Sequence, residues 1–231
     1  MYAKFLKRFF DFFLSFVALA VLLPILLILM VIGAIAMKGN PFFTQPRPGK
    51  KRKDGKEKIF RLIKFRTMSN AKDKDGNLLP DNKRLNGYGK FLRSTSLDEL
   101  PELINIIVGD MSIVGPRPQL VRDMVFMSDE QRRRHDVRPG LTGLAQVNGR
   151  NNITWEQKFE YDLAYIDNEY TLAGDLKILF KTVGKVLKKS DTVREGTASD
   201  MDFGDWLMME GKVNQETYDA KQTEAKEMLK V

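Results

Sequence analysis

The stretch that decides the fold is FFLSFVALAVLLPILLILMVIGAIAM, residues 12–37, which contains no charged side chain. A helix of this length is long enough to enter the hydrocarbon core of a bilayer. Pro24 lies near its middle, and a proline inside a helix lacks an N–H donor and clashes with the preceding turn. We therefore expect a helix broken at Pro24, with halves of about 18 Å beside a hydrocarbon core of about 30 Å.

Positive side chains flank this apolar run on both sides. Lys4, Lys7 and Arg8 precede it, and six Lys and Arg residues follow it between positions 38 and 53. A spanning helix normally carries its excess of positive charge on one side only. The two-sided charge favours a re-entrant membrane helix within residues 1–40 that returns to the same membrane face. A proline-kinked spanning anchor is the alternative, because membrane helices tolerate proline.

The composition restricts the chemistry that the chain can perform. Its 231 residues include no cysteine and a single histidine, His135. These counts exclude disulfides, iron–sulfur clusters, thiolate zinc sites and zinc sites with a pair of histidines. Catalysis must therefore use carboxylates, Lys, Arg and backbone amides, and His135 is interpreted as a bystander in the core or at the surface.

The formal net charge of +8 is unevenly distributed. Residues 38–72 carry twelve Lys and Arg against two acids, whereas residues 195–231 carry nine acids against four Lys. The cationic region favours an anionic partner, such as a nucleic acid, a phosphate substrate or a membrane surface. The acidic C-terminal tail, residues 197–231, is expected to be an appended segment.

A second membrane signal lies in residues 172–189, where apolar residues recur at helical spacing beside a stripe of lysines. The members are Leu176, Leu179, Phe180, Val183 and Leu187 on the apolar side, and Lys177, Lys181, Lys185 and Lys188 on the basic side. This pattern is typical of an amphipathic helix at the surface of an anionic membrane. A surface helix that packs its apolar side on the protein core is an equal alternative.

The intervening body, residues 41–196, is predicted to contain a β-hairpin. Residues 41–45 and 59–67 have strand-forming patterns on either side of a loop. Period-2 alternation puts Lys64 and Arg66 on one face of the second strand, where both can reach one phosphate. A solvated basic edge that resists edge-to-edge pairing is the alternative.

Asp98 and Glu99 lie within a helix-capping pattern that runs from Ser96 to Glu99. The same pattern recurs at Ser128 and Thr154. The pattern predicts the first turn of a helix, where exposed N–H groups and the helix dipole favour ionised carboxylates. An ionised aspartate beside cations is a competent nucleophile toward phosphorus, and a neighbouring carboxylate can hold Mg²⁺. The alternative is that both acids only stabilise the helix.

Arg117 lies between two prolines in the sequence Gly-Pro-Arg-Pro, residues 115–118. The prolines restrict the backbone and so fix the direction of the guanidinium, whose planar donors suit a diphosphate. A turn whose arginine points to water is the alternative. Residues 138–150 are rich in glycine, and their backbone amides are candidates for contact with a phosphate.

Six segments together are far more specific than any one of them. In chain order they are Lys7-Arg8-x-Phe10-Asp11, Phe43-Thr44-Gln45-x-Arg47-Pro48-Gly49, Lys64-Phe65-Arg66-Thr67-Met68, Arg93-Ser94-x-Ser96-x-Asp98-Glu99-Leu100, Gly109-Asp110-Met111-Ser112-x-Val114-Gly115-Pro116-Arg117-Pro118 and Arg138-Pro139-Gly140-x-Thr142-Gly143-x-Ala145-Gln146-Val147-Asn148-Gly149-Arg150. They resemble the bacterial sugar transferase family of monotopic polyprenol-phosphate phosphoglycosyl transferases. Within that family the chain is most similar to PglC-type enzymes, which use UDP-N,N'-diacetylbacillosamine.

The resemblance covers residues 1–196 and implies a helix-rich α+β fold. A re-entrant membrane helix would precede a small cytosolic domain, residues 41–196, with a β-hairpin and amphipathic interface helices. The location implied is the cytoplasmic face of the bacterial inner membrane. Anionic lipids, a homodimer and downstream glycosyltransferases are the partners that we expect besides the substrates, and we expect no nucleic acid.

The resemblance also implies a two-step reaction and its residues. Asp98 would attack the β-phosphorus of a UDP-sugar, expel UMP and pass the sugar phosphate to undecaprenyl phosphate, as the first membrane step of protein glycan assembly. Glu99 would join Asp98 in holding Mg²⁺. By motif match, the expected phosphate or nucleotide contacts are Lys64, Arg93, Arg117 and Arg150.

Two alternatives stay open. The same enzyme class can act on UDP-galactose, UDP-glucose or UDP-N-acetylglucosamine in capsule or exopolysaccharide synthesis. A membrane-tethered basic protein that binds anionic partners without catalysis is the alternative from another class, and it would be indifferent to Asp98→Asn.

Overall fold

The computed structural model describes residues 2–149, 153–188 and 201–230, and it confirms the helix-rich α+β class. The helices are α1 (Lys7–Ala36), α2 (Asp81–Arg84), α3 (Gly87–Thr95), α4 (Glu102–Val108), α5 (Val121–Met124), α6 (Asp129–Arg132), α7 (Leu144–Asn148), α8 (Trp155–Ala164), α9 (Leu172–Lys188), α10 (Phe203–Met209) and α11 (Gln215–Met228). The strands are β1 (Phe42–Lys51), β2 (Glu57–Phe65), β3 (Ser112–Val114) and β4 (Gly140–Thr142). Short 3₁₀ turns cover Leu97–Glu99 and Arg133–Asp136, and π-helical turns cover Tyr2–Leu6 and Tyr165–Glu169.

The predicted β-hairpin is confirmed. Strands β1 and β2 pair antiparallel, with Phe42 opposite Phe65 and Phe43 opposite Lys64. Phe60 on β2 is buried, as expected for the face that it shares with Lys64. A second, parallel pair joins β3 to β4, with Ser112–Val114 beside Gly140–Thr142. Local sequence patterns did not predict this pair.

The expected break at Pro24 is wrong, because α1 runs without interruption from Lys7 to Ala36. Proline removes one hydrogen bond, to the carbonyl of Ala20 one turn earlier, and its ring crowds that carbonyl. One lost bond does not end a helix of 30 residues, whose length is about 45 Å. By length and composition alone, this helix is able to cross a membrane.

One face of α1 is docked on the body along almost its full length. The buried residues of this face are Lys7, Asp11, Ser15, Leu26, Leu29 and Gly33, and Leu19 and Leu22 pack against the body between them. The other face exposes large apolar side chains from Phe9 to Ile35. The helix therefore lies alongside the body, with an apolar face turned outward.

The polar start of α1 is anchored by buried ionic contacts. Lys7 Nζ lies 2.5 Å from Asp175 Oδ2 on α9, and Asp11 Oδ1 accepts the N–H of Ile113 at 2.9 Å. Arg8 donates to the carbonyls of Ile106 and Ile107 at 2.5 and 2.6 Å, at the C-terminal end of α4. A cation is favourable at that end of a helix. The first charged motif of the sequence therefore serves to dock α1.

The predicted amphipathic helix is confirmed as α9. Ile178 is buried in the core, whereas Leu176, Phe180 and Val183 are exposed. The alternative in which the apolar side packs on the core holds for Leu179, which packs against the cluster that contains Ile178, and not for these three side chains. The side chains of Leu187 and Lys188 lie outside the described part of the chain.

The C-terminal segment contains two helices that pack on α5. Their contacts form an apolar cluster whose buried members are Val121, Met124, Val125, Met127, Trp155, Phe159, Phe203 and Ala225. Residues 201–230 of the acidic tail are therefore part of the folded protein, and residues 197–200 lie outside the described residues.

Candidate active site

Asp98 and Glu99 do not open an α-helix, which corrects the interpretation of the Ser96 capping pattern. Ser96 has a φ of 56° and closes α3, with no capping bond from its side chain. The two acids lie on a 3₁₀ turn, and Pro101 immediately precedes α4. The matching patterns at Ser128 and Thr154 do form capping boxes with Gln131 and Gln157, at the N-terminal ends of α6 and α8.

The fold brings three of the four expected cations to this turn. Lys64 ends β2, Arg93 lies in the last turn of α3, and Arg117 follows β3. All three lie close enough to Asp98 to influence its charge. Arg93 Nε also donates to Thr67 Oγ1 at 3.0 Å. The fourth predicted residue, Arg150, lies outside the described residues.

Arg117 forms the direct ion pair of the site. Its Nη2 donates to Glu99 Oε1 at 2.7 Å, and its side chain keeps 40% of its surface exposed. The alternative in which this arginine only points to water is therefore wrong. An arginine that is held at one edge and open at the other can donate to an incoming phosphate.

The backbone around Arg117 is fixed at three successive carbonyls. The carbonyl of Pro116 accepts from Gly140 N at 2.9 Å, and that of Arg117 accepts from Arg134 at 2.7 Å. The carbonyl of Pro118 accepts from Arg47 at 3.1 Å. These bonds hold the loop in one arrangement, so the guanidinium is positioned before a ligand arrives.

Glycine allows the strand pair beside this loop to approach closely. An added Cβ at Gly115 would lie 2.4 Å from the carbonyl oxygen of Arg138, and one at Gly140 would lie 2.1 Å from Gly115 N. Backbone contacts cannot relax as flexible side chains do. Gly115 and Gly140 therefore allow close backbone packing, and phosphate contact by the amides of residues 138–150 stays a prediction.

The carboxylate of Asp98 is 7% exposed. Burial, followed by the charge of Glu99, raises its pKa to about 6, while Lys64 and Arg117 oppose that rise. Burial also disfavours the charged form of Lys64, and it therefore lowers the pKa of this amine. The expectation that helix N–H groups would favour the ionised aspartate is therefore wrong, because burial and a like charge dominate.

Glu102 is a member of the cluster that the sequence did not reveal. It is 4% exposed, and burial together with the charge of Glu99 raises its pKa to about 8. The feature of the sequence that could have indicated this residue is its position three residues after Glu99. The position became meaningful only when the structure placed Arg117 and Lys64 within its electrostatic reach.

Arg47 is a second residue that was absent from the predicted site. Its guanidinium donates to Gln45 Oε1 at 2.7 Å as well as to the Arg117 loop. Burial and the nearby charge of Arg117 lower its pKa to about 10. Two arginines therefore stand side by side at the edge of the carboxylate cluster.

His135 is a buried core residue and does not reach this cluster. Its Nδ1 lies 3.3 Å from Glu57 Oε1, and burial lowers the pKa of the imidazole to about 4. The ring can be buried because it is neutral and is hydrogen-bonded to a carboxylate.

The donors at the cluster suit a hard divalent cation. Within the described part of the chain, no three His, Asp or Glu side chains are arranged as a metal site. Mg²⁺ commonly uses one or two carboxylates and keeps water or substrate phosphate as its other ligands. Asp98 and Glu99 fit that requirement. Each carboxylate makes ionisation of the other less favourable, and a bound cation would offset this repulsion.

Comparison with known proteins gives a consistent result. A model described as bacterial sugar transferase matches residues 2–189. The chain is 51% identical over 162 residues to the uncharacterized sugar transferase EpsL of Bacillus subtilis (strain 168). The aligned region covers 69% of this chain and 77% of the relative.

Two further relatives have names that state a substrate. The chain is 37% identical over 207 residues to the UDP-galactose-lipid carrier transferase of Erwinia amylovora, which covers 81% of this chain and 41% of the relative. It is 42% identical over 177 residues to the UDP-glucose:undecaprenyl-phosphate glucose-1-phosphate transferase of Klebsiella pneumoniae, which covers 68% and 36%. The chain therefore spans less than half the length of these two proteins.

Proposed function

The chain belongs to the bacterial sugar transferase family, and on that premise we propose that it transfers a sugar 1-phosphate from a UDP-sugar to undecaprenyl phosphate with release of UMP. The names of the Erwinia and Klebsiella relatives support this reaction class. The single observation that carries the proposal is the buried Asp98 beside the half-buried Glu99, with Lys64, Arg93 and Arg117 around them.

In the first step, Asp98 acts as the nucleophile. A carboxylate oxygen of Asp98 forms a bond to the β-phosphorus, and the bond between that phosphorus and the oxygen bridging to the α-phosphate breaks. UMP leaves with the bridging oxygen, and the sugar phosphate remains on Asp98 as an acyl phosphate. A pKa of about 6 leaves this carboxylate mostly ionised at neutral pH, and its burial leaves it weakly solvated and reactive.

In the second step, an oxygen of undecaprenyl phosphate attacks the phosphorus held by Asp98. The bond to the Asp98 oxygen breaks, which returns the carboxylate and gives undecaprenyl diphosphosugar. Lys64, Arg93 and Arg117 neutralise phosphate oxygens in both steps, so that one anion can approach another. Mg²⁺ held by Asp98 and Glu99 would add charge neutralisation at the same phosphates.

We propose galactose or glucose as the sugar. The names of the relatives favour this alternative over the expected N,N'-diacetylbacillosamine. Relatives named as exopolysaccharide production proteins favour exopolysaccharide synthesis over protein glycosylation. Galactose and glucose are both hexoses, so the proposed donor is a UDP-hexose.

We also propose that the protein is monotopic on the cytoplasmic face of the inner membrane. The docked face of α1 extends from Lys7 to Gly33, so the body lies beside the helix and not beyond one of its ends. The exposed apolar residues of α9, with Lys177 and Lys181 beside them, suit contact with anionic lipids. A homodimer and downstream glycosyltransferases stay predictions.

The absence of cysteine gives a direct test of the membrane arrangement. Single cysteines introduced as Ala3→Cys and Lys38→Cys mark the two ends of α1. In sealed cells, a membrane-impermeant thiol reagent is expected to label neither position. Labelling of one position alone would show a spanning helix and overturn the monotopic arrangement.

The reaction is tested by UMP release from purified protein with undecaprenyl phosphate and a panel of UDP-sugars. We expect release with UDP-galactose or UDP-glucose, and loss of release in Asp98→Asn. Asp129→Asn is the matched control, because Asp129 is an exposed acid in the first turn of α6. No UMP from any UDP-sugar would overturn the enzyme proposal in favour of a basic binding protein.

A further inference from the structure

The C-terminal helix pair, residues 201–230, lies outside residues 2–189, the part that the family model matches. Phe203 and Ala225 are 3% and 2% exposed, and both belong to the apolar cluster on α5. The pair is therefore packed on the body by buried side chains. The contacts of the pair with the body show what it adds.

Asp123 joins the helix pair to the loop that carries Arg117. Its Oδ1 accepts the N–H of Phe203 at 2.9 Å, and its Oδ2 accepts the N–H of Leu120 at 3.1 Å. Leu120 is three residues beyond Arg117. Because Asp123 is 2% exposed, losing either partner would leave a buried oxygen without a replacement from water.

Arg47 makes a second connection between the two regions. It donates to the carbonyl of Pro118, the residue after Arg117, and its charge is opposed by Arg117 and supported by Asp123 and Asp202. Asp202 immediately precedes α10 and is paired with Arg122 of α5. The acids beside the helix pair thus stabilise a buried arginine that holds the Arg117 loop.

From this connected path we propose that the C-terminal helix pair positions Arg117 for a nucleoside diphosphate, with Asp123 as the positioning residue. The proposal rests on the proposed function for the identity of the ligand. Docking of the pair holds residues 117–120 in the arrangement that binds the diphosphate. By linkage, nucleotide binding must then stabilise the docked pair to the same extent.

Tryptophan fluorescence reports on this docking, because both tryptophans of the chain lie at the contact. Trp155 donates its Nε1 to the carbonyl of Met201 at 3.1 Å, and the ring of Trp206 stacks on Phe203 with centroids 5.9 Å apart. Separation of the pair exposes both indoles to water. Emission therefore shifts to longer wavelength when the pair leaves the body.

The experiment uses the full chain in detergent micelles, with UDP as the probe. Phe203→Ala and Ala225→Glu loosen the pair at two points, and Met209→Ala is the control because Met209 is 62% exposed. We expect both loosening variants to shift the emission and to weaken UDP binding, measured by calorimetry, at least five-fold. Met209→Ala should match the wild type in both, and UDP should reverse part of the emission shift.

Turnover separates positioning from general damage. Asp123→Asn and Phe203→Ala should raise KM for the UDP-sugar several-fold, and by more than KM for undecaprenyl phosphate, because the sugar donor carries the diphosphate for which Arg117 is positioned. UDP affinity equal to the wild type in variants with shifted emission would overturn the proposal. Emission unchanged in both loosening variants would overturn the docking itself. A wild type that binds no UDP would overturn the positioning of Arg117 for a nucleoside diphosphate. A wild type that binds UDP in a docking-dependent way but releases no UMP would overturn only the proposed function.

Discussion

Glu57 and Asp98 are carboxylates of nearly equal burial, at 8% and 7% exposure, with opposite electrostatic surroundings. Burial alone raises the pKa of Glu57, but the bonds from His135 and Arg132 reverse this and lower it to about 2. At Asp98, burial and the adjacent charge of Glu99 raise the pKa to about 6. The ionised form of Glu57 is stabilised by its neighbours, whereas the ionised form of Asp98 is destabilised by the adjacent charge of Glu99.

This difference separates a structural cluster from a functional one. In the Glu57 cluster the carboxylate is balanced within the protein, by its bonds to Arg132 and His135. In the Asp98 cluster the adjacent carboxylates oppose each other's charge, and we propose that a ligand supplies further stabilisation. The comparison predicts that mutations at the two sites affect different properties of the protein.

The largest expected effect is the loss of turnover in Asp98→Asn, by about 10³-fold or more, because the amide cannot form the acyl phosphate. The same change should leave the free energy of unfolding equal to the wild type or higher at pH 7. A carboxylate with a raised pKa costs stability above that pKa, and the neutral amide avoids this cost. UMP release and urea unfolding measure the two properties.

The comparison would fail at this point if Asp98→Asn unfolded at clearly lower urea concentration than both the wild type and Asp129→Asn. Such a result would mean that Asp98 stabilises the fold, as Glu57 does. Turnover equal to the wild type would instead remove Asp98 from the nucleophile role.

The reverse result is expected for Glu57→Gln. It should lower the free energy of unfolding by about 2–3 kcal/mol, since it leaves the charge of Arg132 without its carboxylate and weakens the bond to His135. Turnover should stay within about two-fold of the wild type, because neither partner touches the reacting groups. Glu130→Gln is the control: Glu130 is exposed and pairs with Arg133 at the surface, where such pairs contribute little.

The pH dependence of stability sharpens the comparison through His135. Its pKa is about 4 in the folded protein and near 6.5 when unfolded, so protonation of the unfolded chain removes stability as pH falls from 6.5 toward 4. We expect His135→Gln to lack this loss. As pH falls from 7 to 5, the free energy of unfolding of the variant should rise by about 1–2 kcal/mol relative to that of the wild type. Urea unfolding of both chains at the two pH values measures it, and a constant difference between them would contradict it.

The smallest effect is expected for Glu102→Gln. With a pKa of about 8, the Glu102 carboxyl is mostly protonated at pH 7, and glutamine mimics that neutral form. UMP release at pH 7 should therefore stay within about two-fold of the wild type. A ten-fold loss would show that Glu102 acts as an anion, and the cluster would then contain three working carboxylates.

The features that the sequence predicted correctly depend on neighbours in the chain. The apolar helix, the β-hairpin and the capping boxes at Ser128 and Thr154 follow from local patterns. The same capping pattern failed at Ser96, where the chain turns from α3 into a 3₁₀ turn before Pro101. The break at Pro24 failed because docking and the remaining helical bonds outweigh one missing donor.

The missed features depend on contacts that are distant in sequence. Arg47 and Glu102 join the site only because the loop after β3 brings Arg117 to both. The raised pKa of Asp98 likewise requires burial that no residue pattern specifies. The identities of Asp98, Glu99 and the three described cations came from the family resemblance, and the structure then brought them together.

The bond between Lys7 and Asp175 joins residues 168 positions apart in the chain. A ribosome adds about 5–20 residues per second, so roughly 10–30 s separate the synthesis of the two partners. During that interval the first helix has emerged while its buried lysine and aspartate have no body to dock on. The docked position of the first helix can therefore form only after α9 has left the exit tunnel.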